Sequence, residues 1–391
     1  MVQNFKIFSF FSGCGFLDLG FENIGFEVVF VNEKFSPFMA AYRYGRKLLE
    51  IPEPEYGYFQ EDLVILTGEN GKTHLQELVK DAQRNSDFVG FIGGPPCPDF
   101  SIGGKNRGKN GENGKLSDAY IELICQQQPD FFVFENVKGL WSTKKHRAFY
   151  EEMKRKLYRY GYIITERLIN SIEYGVPQDR YRIILIGFQC NLLKDKGFDI
   201  NYSQVIPKNI FPWERYVLYP QNQVFSYPWP QTNTFVENSQ INCSDGIPKE
   251  LTVEYWFRQN DVVSHPNSEH YFQPRAGRVK FAIVAEGDDG KKSYKRLHRW
   301  RYSPTACYGN NEVHLHPYKV RRLSAAEALA IQSLPKKFAL PSNMTLSHKF
   351  KTIGNGVPYL AAQGVAKTIL DFLKMNKINY QEEMIHQLEL P

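Results

Sequence analysis

The 391-residue sequence lacks several features that would place it outside the ordinary globular proteins. No apolar run approaches the roughly 18 residues that a membrane-spanning helix needs, and no basic and apolar leader opens the chain. The six cysteines are scattered without a CxxC pair, which argues against a disulfide framework and a zinc site. No repeat or low-complexity tract is present. We therefore expect a soluble, cytoplasmic protein with no metal.

The excess of positive charge is small, at +6. This value fits a polyanionic partner but also an ordinary basic enzyme. Aromatic residues make up 15% of the chain, and many of them lie beyond residue 210. The length suggests two domains, and the aromatic bias suggests that the second has a surface task.

The first half of the chain alternates short apolar strands with helical patterns, which predicts an α/β fold with a doubly wound parallel sheet. Ligands of such sheets bind at the carboxyl ends of the strands. The predicted strands are 6–11, 27–32, 88–92, 131–134 and 183–188, and the predicted helices are 16–24, 38–49, 74–82, 118–127, 324–333 and 357–373.

Three regions follow from these patterns. Residues 1–189 form a first predicted domain, and 190–345, where regular alternation stops, form a second. Residues 346–391 form a C-terminal segment that we expect to pack back on the first domain.

The turn Phe11-Ser12-Gly13-Cys14-Gly15 joins the first strand to the first helix, as in nucleotide-binding loops. Glu33 lies 18 residues beyond Gly15 at a strand end, where a carboxylate can bind ribose. The third position of a full GxGxxG pattern is Asp18, so a nucleoside without pyrophosphate fits better. A plain structural turn is the alternative, since a lone GxG is weak.

Cys97 lies in Gly93-Gly94-Pro95-Pro96-Cys97-Pro98, a restrained loop at a predicted strand end. It can act as a nucleophile if a positive neighbour lowers its pKa, and a buried packing cysteine is the alternative. Glu135 ends the next predicted strand, and Arg180 and Arg182 open the last one. We expect these side chains to share one cleft with Cys97, although surface ion pairs would explain them singly.

An ordered set of seven motifs resembles the cytosine-5 DNA methyltransferase family: FSGCG, NEKFSP, PPCPDFS, FENVKGL, QDRYR, RRLSAAEALAIQSLP and IGNGVP. The resemblance spans residues 11–373, except for an interval near 190–300 where that family keeps its target recognition domain. It implies that residues 1–189 are a catalytic, Rossmann-like methyltransferase domain that uses S-adenosylmethionine, and that 190–345 are a smaller and irregular target recognition domain.

The resemblance also implies a role for each catalytic residue. Cys97 would add to cytosine C6 and activate C5 for methylation. Glu135 would hold or protonate N3, Arg182 would bind O2, and Arg180 would support the catalytic loop. The methyl donor would contact Phe11, Gly13, Cys14, Gly15, Glu33, Asp62, Pro96, Leu116, Asn355 and Val357.

Double-stranded DNA is the implied partner, with the target cytosine flipped out of the helix. A glycine-rich loop at 100–116 would close on it and contact DNA through Ser101, Lys105 and Arg107. Arg299 and Arg301, in the basic run 291–301, would contact phosphates or bases. A plain surface loop and a solvated charged face are the respective alternatives.

Two positions depart from the common family pattern: Pro98 replaces a glutamine after the nucleophile, and Phe16 replaces a second glycine. The first puts one backbone contact of the catalytic loop in doubt, and the second should alter packing beneath the donor.

Rival functions are an RNA cytosine-5 methyltransferase and a catalytically silent DNA-binding regulator. The large variable region favours DNA, and the intact Cys97, Glu135 and Arg182 favour turnover. Amino-methylating enzymes would carry an Asn/Asp/Ser-Pro-Pro-Tyr/Phe tetrapeptide where this chain has Gly94-Pro95-Pro96-Cys97. We expect a monomeric enzyme of a prokaryotic restriction-modification system, with a cognate endonuclease as a candidate partner.

Overall fold

The computed structural model describes residues 3–96, 112–196, 204–207, 210–273, 278–291, 293–308 and 313–375. A seven-stranded sheet organises the first half of the chain. Its strands are β1 (Phe5–Phe10), β2 (Phe26–Asn32), β3 (Tyr58–Phe59), β4 (Phe88–Gly93), β5 (Phe131–Val137), β6 (Tyr162–Asn170) and β7 (Tyr181–Gln189). Their order in the sheet is β3-β2-β1-β4-β5-β7-β6.

Helices connect and cover these strands. They are α1 (Phe16–Glu22), α2 (Ser36–Leu48), α3 (Glu69–Arg84), α4 (Glu112–Gln127), α5 (Lys138–Ser142), α6 (Lys144–Arg159), α7 (Cys190–Asp195), α8 (Gln221–Val224), α9 (Val253–Gln259), α10 (Arg278–Ile283), α11 (Ala325–Ile331), α12 (Leu346–Asn355) and α13 (Tyr359–Lys374). Each helix predicted from the sequence is present, with ends that differ by up to six residues, whereas β3, β6, α5 to α10 and α12 were not predicted.

The strand β7 runs antiparallel to both of its neighbours, while the other strand pairs of the sheet are parallel. The amino end of β7 therefore lies at the same edge of the sheet as the carboxyl ends of the parallel strands. In register, Val137 near the end of β5 pairs with Arg182 at the start of β7. This reversal brings two motifs that are distant in sequence to one edge.

Both faces of the sheet are buried. Successive side chains of a strand point to opposite faces, so neighbouring residues pack in different clusters. Ile7 packs in a cluster with Phe21 of α1 and Ile369 of α13. The next residue, Phe8, packs in a second cluster with Val79 of α3 and many aromatic rings. The apolar runs of the strands thus reflect a sheet that is covered by helices on both faces.

A third apolar cluster joins residues beyond 250 to the first two helices. Phe257 of α9 and Leu329 of α11 pack there with Phe16 and Phe38. The second half of the chain is thus seated on the helices that flank the first loop. The division at residues 189 and 345 stays a prediction.

No helix in the described ranges is long and apolar enough to cross a membrane.

Candidate active site

Glu135 and Arg182 form an ion pair at the edge where β5 ends and β7 begins. Glu135 Oε1 lies 2.8 Å from Arg182 Nε, and both side chains are almost fully buried. Burial raises the pKa of the Glu135 carboxyl, and the nearby positive charges of Arg182 and Arg180 only partly offset that effect. A carboxyl group that holds its proton to higher pH can donate a hydrogen bond to a ring nitrogen.

The chain that leads to the predicted nucleophile runs directly against this pair. A Cβ atom added at Gly94 would lie 2.6 Å from Glu135 Oε2, so only glycine allows this approach. The buried Asn136 donates its side-chain amide to the Pro95 carbonyl at 3.4 Å, and Pro96 follows half-buried. The backbone is therefore anchored beside Glu135 up to the residue that precedes Cys97.

Four predicted residues, Cys97, Ser101, Lys105 and Arg107, lie outside the described residues. Two of the other cysteines are poor nucleophiles, because burial raises the pKa of the Cys14 and Cys125 thiols to about 12.

Arg180 has a different environment from Arg182. It is fully buried, and its guanidinium donates to the carbonyls of Gly354, at 2.7 Å, and Gly356, at 3.1 Å. A further hydrogen bond of 3.3 Å reaches the Ala306 carbonyl. The two arginines therefore do not both contact the acidic group: Arg182 pairs with Glu135, and Arg180 holds the turn that carries Asn355.

The predicted nucleotide loop has the conformation that its glycines allow. Gly13 and Gly15 have φ angles of +58° and +80°, in the left-handed region. A Cβ atom at Gly15 would also lie 2.5 Å from Arg46 Nη1. The Glu33 carboxylate accepts hydrogen bonds from the backbone N–H groups of Gly13, at 2.9 Å, and Phe35, at 2.7 Å.

A buried polar cluster that the sequence analysis did not predict supports this loop. Asp18 accepts hydrogen bonds of 2.8 Å from both Ser9 and Tyr42. Arg46 stacks on the Tyr42 ring, with 3.9 Å between its guanidinium carbon and the ring centroid, and pairs with Glu22. Asp18 therefore has a structural role at the position where a dinucleotide-binding loop has its third glycine.

The other predicted donor residues surround the same strand ends. Phe11 has a φ of 53°, and its half-buried ring stands edge-on to Tyr120. Asp62 caps the short 3-10 helix Leu63–Thr67 and binds Lys34 Nζ at 2.7 Å. Leu116 is half-buried in α4.

The turn after α12 closes the site from the far end of the sequence. Cys14 Sγ lies 2.6 Å from Thr352 Oγ1, in a buried hydrogen bond that joins the first loop to α12. Asn355 is exposed and Val357 is buried. The ring of Phe16 occupies the space that a side chain at position 356 would need, so Phe16 packs against this turn. Thr352 could have been predicted, since it lies one helical turn before Asn355.

The prediction that Arg299 contacts DNA does not fit its environment. Its guanidinium is buried and makes a two-point ion pair with buried Glu286, at 2.8 Å for each contact. Arg296, in the same basic run, is fully buried as well. Arg301 is partly exposed but binds Asp289 at 2.8 Å. Charge alone does not reveal which side chains of a basic run have buried partners, so the sequence pattern could not predict this burial.

No group of three or more His, Cys, Asp and Glu side chains that could hold a metal ion occurs in the part of the chain that the structure describes.

Comparison with known proteins gives a consistent result. The family model described as C-5 cytosine-specific DNA methylase matches residues 5–371. The chain is 57% identical over 369 residues to the Type II methyltransferase M.NmeDI of Neisseria meningitidis serogroup C, covering 94% of this chain and 84% of that protein. It is 28% identical to the Type II methyltransferase M.FnuDI of Fusobacterium nucleatum, covering 95% and 97% of the two chains.

Solved structures share the fold at low sequence identity. A putative DNA modification methyltransferase encoded within an E. coli prophage has a TM-score of 0.62 at 20% identity, covering 95% of this chain and 99% of that one. A DNMT2 mutant from Spodoptera frugiperda has a TM-score of 0.56 at 17% identity, with the same coverage.

Proposed function

Because the chain belongs to the family of C-5 cytosine-specific DNA methylases, we propose a chemical role for each residue of its site, with Cys97 as the nucleophile. The protein is a DNA (cytosine-5) methyltransferase, which transfers a methyl group to carbon 5 of cytosine. The adjacency of Glu135 and Arg182, at the point where the backbone leads into Cys97, is the observation that carries the assignment.

In the proposed mechanism the Cys97 thiolate attacks C6 of a flipped-out cytosine, which gives C5 the character of a carbanion. Protonated Glu135 donates to N3 and stabilises the negative charge that develops on the ring. Arg182, held by Glu135, donates to O2. After methylation, loss of the C5 proton and of the thiolate restores the aromatic ring.

We propose S-adenosylmethionine as the methyl donor, and the loop geometry fits a nucleoside of this kind. The left-handed turns at Gly13 and Gly15 leave room for close backbone approach. Each Glu33 oxygen already accepts one backbone N–H and has a remaining lone pair for a ribose hydroxyl. The donor supplies an electrophilic methyl group. The protein orients it through Glu33, Asp62 and the turn that contains Asn355.

The nucleophile is tested by Cys97→Ser, which should abolish methyl transfer while DNA and donor binding survive. A serine hydroxyl is almost un-ionised near neutral pH, whereas a cysteine of ordinary pKa about 8.5 supplies far more of the attacking anion. A duplex with 5-fluorocytosine should trap the intact enzyme in a covalent complex, because fluorine cannot leave as a proton does. Mass spectrometry should map the link to Cys97. A link to another cysteine would overturn the mechanism.

The biological role we propose is protection of DNA in a restriction-modification system, with a cognate endonuclease as partner and the methyltransferase acting as a monomer. Bisulfite sequencing of DNA from a methylation-free host that expresses the chain should show one short methylated sequence. Methylation of RNA but not DNA would favour the RNA alternative, and absence of both would favour a silent regulator.

A further inference from the structure

A group of four partly exposed aromatic residues, here called the aromatic ledge, consists of Tyr181, Phe225, Trp229 and Tyr302. The Tyr302 ring lies between two of the others, with centroids 5.7 Å from Phe225 and 5.0 Å from Trp229, both edge-on. Trp229 and Tyr302 pack on a small apolar cluster of Ile172, Val224 and Leu251. The rings are therefore held by a buried apolar cluster and remain partly exposed to solvent.

The aromatic ledge adjoins the catalytic pair. Tyr181 immediately precedes Arg182 at the start of β7, and Arg182 itself donates to the Tyr181 carbonyl at 2.8 Å. The Tyr181 hydroxyl lies 3.3 Å from the side-chain oxygen of Gln221, the first residue of α8, and Phe225 directly follows that helix. On the other side, the Ser303 carbonyl next to Tyr302 accepts the Asp179 N–H at 2.9 Å.

A cation stands at the end of the aromatic ledge nearest the catalytic pair. Lys138 Nζ lies 4.5 Å from the centroid of the Tyr181 ring, and the side chain is exposed. Arg301, next to Tyr302, is neutralised by its ion pair with Asp289. Lys138 is therefore the cation that we assign to a phosphate.

Aromatic rings beside a cation are the elements with which proteins bind unpaired nucleotides, because the ring stacks on a base and the cation meets the backbone. Removing the target cytosine from the duplex leaves its neighbour without a stacking partner. We propose that the aromatic ledge stacks on a nucleotide that flanks the flipped cytosine, with Phe225 as the principal contact. This inference rests on the proposed function.

Phe225 is the best residue to change, because its ring is 37% exposed and its removal breaks no hydrogen bond. Removing the Trp229 side chain would also break the hydrogen bond that its indole N–H donates to the Val224 carbonyl. Phe225→Ala should raise the KM for DNA between roughly 5-fold and 150-fold, the range given by stacking of one base, and leave kcat nearly unchanged. Phe225→Leu should show most of this loss, because it restores an apolar contact but no ring. Lys138→Gln should reduce the salt slope of DNA binding by about one unit.

Tyr160→Ala is the matched control. Tyr160 is an aromatic residue of similar exposure, 42%, at the end of α6 and at the opposite edge of the sheet. This variant should bind and methylate DNA like the unaltered protein. Unchanged donor affinity by calorimetry in all variants shows that they remain folded.

A direct readout uses 2-aminopurine placed in turn on each side of the target cytosine, in a duplex with the sequence that bisulfite mapping identifies. In the complex with the unaltered protein one of the two positions should stay dark, because a stacked probe is quenched. In the complex with Phe225→Ala it should brighten.

Equal fluorescence and equal KM in the Phe225→Ala and unaltered proteins would overturn the inference, provided that 5-fluorocytosine still traps the enzyme. Failure of that trap would instead count against the proposed function.

Discussion

At the scale of single residues, the site depends on a carboxyl group that the protein keeps out of water. Glu135 has two arginines nearby, yet burial outweighs their attraction and its pKa lies above the usual range. In the proposed mechanism Cys97 needs the opposite change, because only its thiolate would attack cytosine C6. The reaction thus requires one group with its proton and another without it.

This pair of requirements predicts a bell-shaped dependence of kcat/KM on pH. The rate should rise as Cys97 loses its proton and fall as the pH passes through the raised pKa of Glu135. Glu135→Gln should lower kcat by roughly 100-fold and remove the alkaline fall, because an amide donates without titrating. The acid limb should remain. An alkaline limb that persists in this variant would show that another group causes it.

Glu33 allows a second test at this scale. Its carboxylate is tied to Gly13 and Phe35, so Glu33→Ala removes both the support of the loop and the proposed contact with ribose. Donor affinity measured by calorimetry should fall roughly ten-fold or more, as for other hydrogen bonds to charged groups.

The affinity of the unaltered protein for the donor should also fall as the pH is lowered toward the pKa of Glu33, which burial raises. Protonation removes the charge that strengthens these hydrogen bonds. The control for Glu33→Ala is Glu27→Ala, which removes an exposed carboxylate from strand β2. Equal donor affinity in Glu33→Ala and Glu27→Ala would exclude Glu33 from the donor site.

At the scale of elements, most strands and helices of the first half were predictable, because their apolar periods are regular, whereas β3, β6, α5 and α6 were not. The reversal of β7 was not, since an apolar run carries no direction. The sequence predicts that both arginines face one cleft. In the structure Arg182 lies beside Glu135, whereas Arg180 binds the turn after α12. A hydrogen bond between a guanidinium and carbonyls 174 and 176 residues away leaves no pattern in the sequence.

Arg180 should therefore act on stability and donor binding together. Lysine has one donor group where arginine spans three carbonyls, so Arg180→Lys should lower the free energy of unfolding by about 2 kcal/mol. Donor affinity should fall as well, because the turn with Asn355 loosens. Urea titration and calorimetry measure the two effects, with the exposed Arg159→Lys as control. Unchanged donor affinity in Arg180→Lys would show that the turn with Asn355 does not contribute to donor binding.

At the scale of the whole molecule, the basic run beyond residue 290 contributes buried structure rather than a continuous charged surface. Arg299→Ala would leave Glu286 charged and buried, at a cost of about 3 to 5 kcal/mol in unfolding free energy. The paired change Arg299→Met with Glu286→Gln should recover part of this loss, since no charge is then left unpaired. The salt dependence of DNA binding should keep its slope in the double variant. If the salt slope of DNA binding fell by about one unit while the free energy of unfolding stayed unchanged, the phosphate contact predicted from the sequence would be supported instead.

The hydrogen bond between Cys14 and Thr352 also has a consequence for the timing of synthesis. Its two residues are separated by 338 positions, so a ribosome that adds about 5 to 20 residues per second needs roughly 17 to 70 seconds to travel from one to the other. For most of that interval β1, β2 and the glycine loop have been synthesised, but the turn with Asn355 has not. A nascent chain therefore carries only half of the proposed donor site until the turn with Asn355 has been added, and it cannot modify DNA before that point.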